Sequence, residues 1–288
     1  MSLFSRSQAR RRPVSPLLAL GVLFATTVCG YFATMGVFVL DGYFGLGMAV
    51  QLFFSSVFCF ALPGLVSRRA GVGRLKGQLP TPNVIFCAAA IAFACQPLVE
   101  WASAIDLRLC ETIWNVEGDS AAENAQLITE LCNFDSFTGW LVPTLVIALA
   151  PAVSEELFFR GAMIPILRRL TGGWGSAVFI SAVVFSLAHF DMTGFVTRTL
   201  MGLIMGIVFV LSRSLWVSMA FHFANNFLVL VSLSRVDDMI AALTAKPQMP
   251  PLSMSIISLV LTVSLIFIIH RSTLAHRDDN LSPLNRIF

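Results

Sequence analysis

Apolar runs of about twenty residues succeed one another along almost the whole chain, and a helix of that length crosses the ~30 Å hydrocarbon core of a bilayer. Eight such runs are read as spans: Pro16–Leu40, Leu46–Val66, Val84–Ala104, Gly139–Leu157 with a helical extension to Leu170, Gly175–Phe190, Gly194–Leu211, Leu215–Leu233 and Leu252–Ile269. The expected fold is therefore all-α, a polytopic membrane bundle of about eight transmembrane helices. Composition supports this class. The 288 residues are 57% hydrophobic and 12% charged, whereas soluble domains run near 45–50% and ~25%. The first run is longer than the ~7–15 apolar residues of a signal peptide, and no A-x-A cleavage site follows, so it is kept as a span.

Charge distribution gives an orientation. Arg6, Arg10, Arg11 and Arg12 precede the first run, and Arg68, Arg69, Arg74 and Lys76 follow the second. Asp106, Glu111, Glu117, Asp119, Glu123, Glu130 and Asp135 crowd the stretch between the third and fourth runs against a lone Arg108. Basic loops stay in the cytoplasm, so both termini are expected inside and the acidic loop outside. The basic clusters are read as topology signals, with no nucleic-acid partner. Asp41–Gly45 is expected to be a short outer turn, and Thr171-Gly172-Gly173 a helix stop after Arg168 and Arg169.

Against this background, a few polar residues stand inside apolar runs. Ser154-Glu155-Glu156-Leu157-Phe158-Phe159-Arg160 interrupts Gly139–Leu167, His189 lies within Val178–Phe190, and His222 and Asn226 lie within Leu215–Leu233. Each charge at the bilayer centre costs at least ~3 kcal/mol on the insertion scales, so residues retained there are functional candidates. At ~1.5 Å rise per residue, Glu155 lies roughly 21 Å from Arg169, His189 roughly 24 Å from Gly173, and His222 and Asn226 roughly 14 and 20 Å from Arg213. Comparable depth permits contact. Glu156 and Arg160 share a helix face, as do Phe185 and His189, and His222 and Asn226. Adjacent Glu155 and Glu156 point ~100° apart, so Glu156 is expected to neutralise Arg160 while Glu155 faces the histidines.

Hydrolysis of a peptide bond needs an activated water and stabilisation of the oxyanion. A desolvated carboxylate is a stronger base, and nearby imidazoles help hold it ionised. Glu155 with His189 would hold and deprotonate the water, while His222 and Asn226 would donate to the oxyanion. Asn226 reads almost equally well as an interhelical hydrogen-bonding residue, and neighbouring Asn225 as packing. Pro151, four residues before Glu155, removes a backbone bond and would loosen the helix there. Asp191 and His189 diverge on a helix, so Asp191 is not taken as a partner. The Gly202-x-x-x-Gly206 spacing is read as close helix packing.

Glu155-Glu156-Leu157-Phe158-Phe159-Arg160-Gly161, Phe185-Ser186-Leu187-Ala188-His189 and His222-Phe223-Ala224-Asn225-Asn226 resemble the three motifs of the CPBP family. This is the CAAX-protease and bacteriocin-processing group, also called Abi and related to the Rce1-type prenyl-protein endopeptidases. Order, spacing and placement in successive spans all match, over about Gly139–Leu233. The resemblance implies an eight-span intramembrane endopeptidase with a glutamate-activated water, acting on a protein or peptide at or in the bilayer, CAAX-type and lipidated substrates included. The resemblance marks a catalytic core (139–233); span count alone divides the rest into a three-span N-terminal region with a basic start and an acidic outer loop (1–138) and a last span with a cytoplasmic tail (234–288). The expected site is Glu155, His189, His222 and Asn226, supported by Glu156, Arg160 and Phe185. The expected location is a bacterial inner membrane.

Other readings stay in view. No cofactor is expected, but Glu155, His189 and His222 could supply a two-histidine, one-carboxylate zinc site. Against zinc, there is no H-E-x-x-H helix, and Asn226 stands where a zincin has its second ligand. A non-proteolytic scaffold or immunity protein of the same fold is the alternative function, since fold does not fix function. A transporter is disfavoured by the lack of internal repeats. Cys110 and Cys132 fall in the acidic loop, where an oxidising compartment would allow a disulfide; paired and unpaired forms are left equally open.

Overall fold

The structure is a computed structural model that describes residues 14–45, 47–69, 79–114, 125–126 and 128–281, with side chains to residue 275. Arg6, Arg10–Arg12, Arg74, Lys76, Glu117, Asp119 and Glu123 lie outside the described residues. Among those described, every regular element is helical. Helix α1 runs Pro16–Phe44 and α2 Met48–Arg69. Helices α3 (Pro82–Ala94) and α4 (Gln96–Leu109) form a pair bent by 43° at Cys95. Helix α5 covers Phe137–Thr171, α6 Trp174–Leu187, α7 Phe195–Ser212 and α8 Leu215–Leu233. A short α9 (Met239–Thr244) precedes α10 (Leu252–Leu281).

Six of these helices are long and apolar enough to cross a membrane, and the bent α3–α4 pair makes a seventh. The chain is an integral membrane protein. The eighth expected segment is α6, which has only 14 residues, or about 21 Å of helix against a ~30 Å hydrocarbon core. It stops earlier than the expected Phe190 because Phe190 turns into the left-handed region at φ 53. The following Asp191 carboxylate then takes the N–H and hydroxyl of Thr193.

Two expected loops are helix instead. Asp41 belongs to α1, which ends at Gly45 with φ 61, and its carboxylate accepts from the Gly47 N–H and the Gln51 side chain. Asp106, read as part of an acidic outer loop, lies on α4 and is 1% exposed. It caps α7: its oxygens accept from Val196 N at 2.7 Å, Thr197 N at 2.9 Å and the Thr197 hydroxyl at 2.7 Å. Gly194, at the start of α7, has no side chain to do this, and an anion at a helix N-terminus meets unsatisfied N–H groups and the positive end of the dipole. The stop at Gly172 is present, with φ 78 and its N–H on Arg168 O.

The core lies where α3, α5, α6, α7 and α8 meet, with Ile91, Phe159, Ile164, Phe209 and Phe221 in one cluster. Helix α6 packs on α7, and α3 on both α8 and α10. Gly202 and Gly206 make the α6–α7 approach possible. A Cβ at Gly202 would stand 3.0 Å from Ala182 Cα, and one at Gly206 2.7 Å from a Val178 methyl. Small residues at such contacts let backbones approach in lipid, where burying apolar surface drives little.

Candidate active site

Helix α5 departs from α-geometry on both sides of its glutamates. Thr144–Leu149 and Phe159–Met163 are π-helical, with Ala150–Phe158 α-helical between them. Single π-turns recur at functional sites because each extra residue re-aims the side chains beyond it. Pro151 contributes too. In an α-helix the N–H of residue 151 would bond Ile147 O, and proline has none. Asn226 of α8 donates to that carbonyl instead, Nδ2 to O at 3.1 Å.

Glu156 is fully buried between Arg160 and His222. Arg160 Nη1 stands 2.8 Å from Glu156 Oε1, and His222 Nδ1 stands 3.0 Å from the same oxygen. Arg160, 1% exposed, sends Nη2 to Gly202 O at 3.0 Å and lies with its guanidinium 5.1 Å from the Phe185 ring centre. Helices α5, α6, α7 and α8 are thus tied at one buried charge network. A buried pair is tolerable to the extent that its other donors and acceptors are bonded; here Arg160 Nη2 is, while Glu156 Oε2 and Arg160 Nε make no hydrogen bond among the described residues. Here the expected division of labour is corrected: Glu156 serves His222 as well as Arg160, because both approach the same oxygen. Glu155 meets the other side of the ring, its Oε2 3.9 Å from His222 Nε2.

The hydrogen bonds assign the imidazoles. A carboxylate only accepts, so His222 Nδ1 carries a proton and Nε2 is the nitrogen facing Glu155. His189 sits in the turn after α6, with Nδ1 2.9 Å from Phe185 O. A carbonyl also only accepts, so His189 Nδ1 is the donor, capping an orphan carbonyl at the helix end and leaving Nε2 unprotonated in the neutral ring. Phe185 packs edge-on against both rings, with centroids 5.2 Å from His189 and 6.1 Å from His222.

A cavity of about 360 Å³ opens among α4, α5, α6, α7 and α8. Glu155, His189, His222 and Asn226 all line it, together with Pro151 and Phe185. Met201, Met205, Val99 and Val229 give it an apolar side. Asn225 also lines it, so its reading as a packing residue is corrected. Gln96, Thr197 and Arg198 line it as well and were not picked out from the sequence. Gln96 carried a usable signal, being an amide inside the apolar run Val84–Ala104. Arg198 is held by Asp191, through Nη1 to Oδ2 at 3.3 Å and Nη2 to the Asp191 carbonyl. Asp191 therefore bonds Arg198 and Thr193.

Glu155 and His222 approach each other, and His189 shares their cavity. Among the described residues, no group of three His, Cys, Asp or Glu side chains is gathered as a metal site. Cys110 and Cys132 are both free and buried in different surroundings. Cys110 Sγ is 3.9 Å from Met192 O, and Cys132 packs with Ala148 and Leu230. The disulfide left open by the sequence is not formed.

Bundle and site together define a polytopic membrane protein with a carboxylate–imidazole–amide cavity enclosed by its helices. Residues 137–228 match a family model described as Rce1-like, type II CAAX prenyl endopeptidase Rce1-like. That stretch contains all three motifs and agrees with the resemblance they carry. No curated protein and no solved structure gives a significant match to the chain.

Proposed function

We propose that this protein is an intramembrane endopeptidase in which Glu155 activates water. The observation that carries this reading is the shared cavity wall: a buried carboxylate, two imidazoles with assignable free nitrogens, and an amide. The match of 137–228 to a prenyl endopeptidase family supports it.

In this reading a water between Glu155 and His189 gives one hydrogen bond to each. Glu155 takes its proton as the oxygen attacks the peptide carbon, and later delivers that proton to the departing amine. Asn226 Nδ2 has a second N–H beyond the one given to Ile147 O, and this N–H meets the oxyanion. His222 donates from Nε2 only when doubly protonated. Glu156 behind Nδ1 stabilises that cation, as a carboxylate does behind the histidine of a serine-protease triad. Phe185 and Arg160 hold the rings and Glu156 in place. The substrate in this reading is a membrane-associated protein or peptide, a class that includes CAAX-type and lipidated substrates, and the membrane is a bacterial inner membrane with both termini cytoplasmic.

Trapping tests the function. Glu155→Gln keeps the shape of the site and removes the base. In native membranes it should enrich full-length substrates that wild type cleaves, identified by mass spectrometry. A physiological output unchanged by Glu155→Gln would favour the scaffold alternative. Cleavage should also persist in strong chelators. Near-complete inhibition reversed by stoichiometric zinc would make Glu155, His189 and His222 ligands instead.

A further inference from the structure

The family match begins at residue 137, yet two side chains on the cavity wall, Gln96 and Val99, come from well before it, and Gln96 is the polar one. Gln96 is the first residue of α4, just past the bend at Cys95. The bend interrupts the backbone ladder, and Pro97 has no N–H to extend it backwards. Carbonyls freed there are taken by side chains. Gln96 Nε2 donates to Ala92 O at 2.7 Å, and Ser258 of α10 donates to Ala94 O.

From Gln96 a line of amides crosses to α5. Gln96 Nε2 also stands 3.3 Å from Asn225 Oδ1, Asn225 Nδ2 stands 3.4 Å from Asn226 Oδ1, and Asn226 Nδ2 stands 3.1 Å from Ile147 O. Both ends are backbone carbonyls, which only accept. Gln96 donates from Nε2 at both of its contacts, so Asn225 and Asn226 must each turn oxygen toward Gln96 and NH2 toward Ile147. Turning any one of them over sets oxygen against oxygen or NH2 against NH2 at a neighbour. The line leaves one Asn226 N–H unspent at the cavity.

We infer that Gln96 is a positioning residue for the oxyanion donor: through Asn225 it fixes the sense in which Asn226 presents its amide to the cavity. The inference rests on the function proposed above. It makes the N-terminal region part of the site: the motif-bearing helices supply the donor, and the bent third span sets its direction.

The test uses the full-length protein in lipid nanodiscs and a quenched, farnesylated peptide ending in a C-a-a-X sequence. Gln96→Met keeps the length and removes the donor. It should lower kcat by about 10- to 100-fold, the range for partners that orient a working group, with KM within about two-fold. Gln96→Glu places an acceptor where the line needs a donor and should lower kcat further. In an Asn226→Ala background, Gln96→Met should change nothing more, because coupled residues are non-additive. Wild-type kcat in Gln96→Met, or an equal penalty with Asn226 absent, overturns the inference, and the second result assigns Gln96 a purely structural role. An independent readout is the side-chain amide signal of Asn226 in ¹⁵N-asparagine-labelled protein, assigned by its loss in Asn226→Ala. That signal should shift in both Gln96 variants; an unmoved signal overturns the positioning role. If wild type leaves the peptide uncut while the signal shifts, the proposed function falls and the positioning stands.

Discussion

Helices α1 and α5 are both long apolar spans, but only α5 also buries charged groups. Helix α1 turns Phe24, Phe32 and Tyr43 outward and encloses Ala19, Gly30 and Thr34. Helix α5 encloses Ser154, Glu155, Glu156 and Arg160. In water, large apolar side chains would go inside, but lipid tails are as apolar as leucine, so exposing them costs little. What a membrane protein must hide is its polar groups, and the helix with the most to hide becomes the centre of the bundle. Helix α1 meets its neighbours through Ala19, Leu23, Gly30, Thr34 and Val37 and buries no charge there.

The contrast breaks or sharpens under substitution. The largest effect is expected on activity. Glu155→Ala should lower turnover by about 10²–10⁴-fold, the usual worth of a general base, with little change in thermal unfolding. Unaltered turnover of a validated substrate would remove Glu155 from the chemistry. Next comes the charge network. Arg160→Met strands Glu156 without its cation and should destabilise by about 3–5 kcal/mol. Pairing it with Glu156→Gln should recover part of that loss. Denaturant unfolding in mixed micelles measures both, and an unchanged midpoint for Arg160→Met would show the pair to be dispensable.

Two glycines carry the contrast to smaller energies. A Cβ at Gly202 meets the Ala182 backbone, and one at Gly36 of α1 meets nothing within 4 Å. Gly202→Ala should cost about 1–3 kcal/mol by overpacking. Gly36→Ala should be neutral or stabilise by up to about 1 kcal/mol through helix propensity. Equal effects at the two sites would deny the difference between peripheral α1 and the core helix α7 that Arg160 of α5 bonds through Gly202 O.

The smallest effect concerns a thiol at the edge of the bundle. Burial pushes the Cys132 thiol up to about 11. At pH 8 only roughly one molecule in a thousand then carries the reactive thiolate. Cys132 should resist alkylation in folded membranes, with or without reductant, and label after denaturation. Labelling gained on reduction alone would restore the disulfide with Cys110.

The span pattern and the motif residues were legible because a polar side chain in an apolar run is conspicuous whatever the local geometry. Contacts that depend on backbone irregularity were not legible. A 3.6-residue period separates Glu155 from Glu156 by ~100° and assigns each a different partner. Both lie in α-helical Ala150–Phe158 and that separation holds, but one ring, His222, is placed to meet both, Nε2 toward Glu155 and Nδ1 toward Glu156. His189 was placed on a helix but sits in a turn, because nothing local announces a left-handed Phe190. Asp106 looked like one more loop acid, since its partners Val196 and Thr197 are backbone groups of a distant helix. Gln96 was readable by the same logic as His189, but it carried no charge to draw attention.

The shortness of α6 bears on how a hydrolase inside a lipid barrier obtains its water. At about 21 Å, this helix falls roughly 9 Å short of the hydrocarbon thickness. The deficit lies at the end where His189 faces the cavity and Asp191, Thr193 and Arg198 form a polar rim. A bilayer meeting so short a helix thins around it or yields to polar groups, and here the rim supplies them. An interface drawn down along that rim would hydrate the candidate site from the edge of the bundle, an effect set by a missing turn or two of helix.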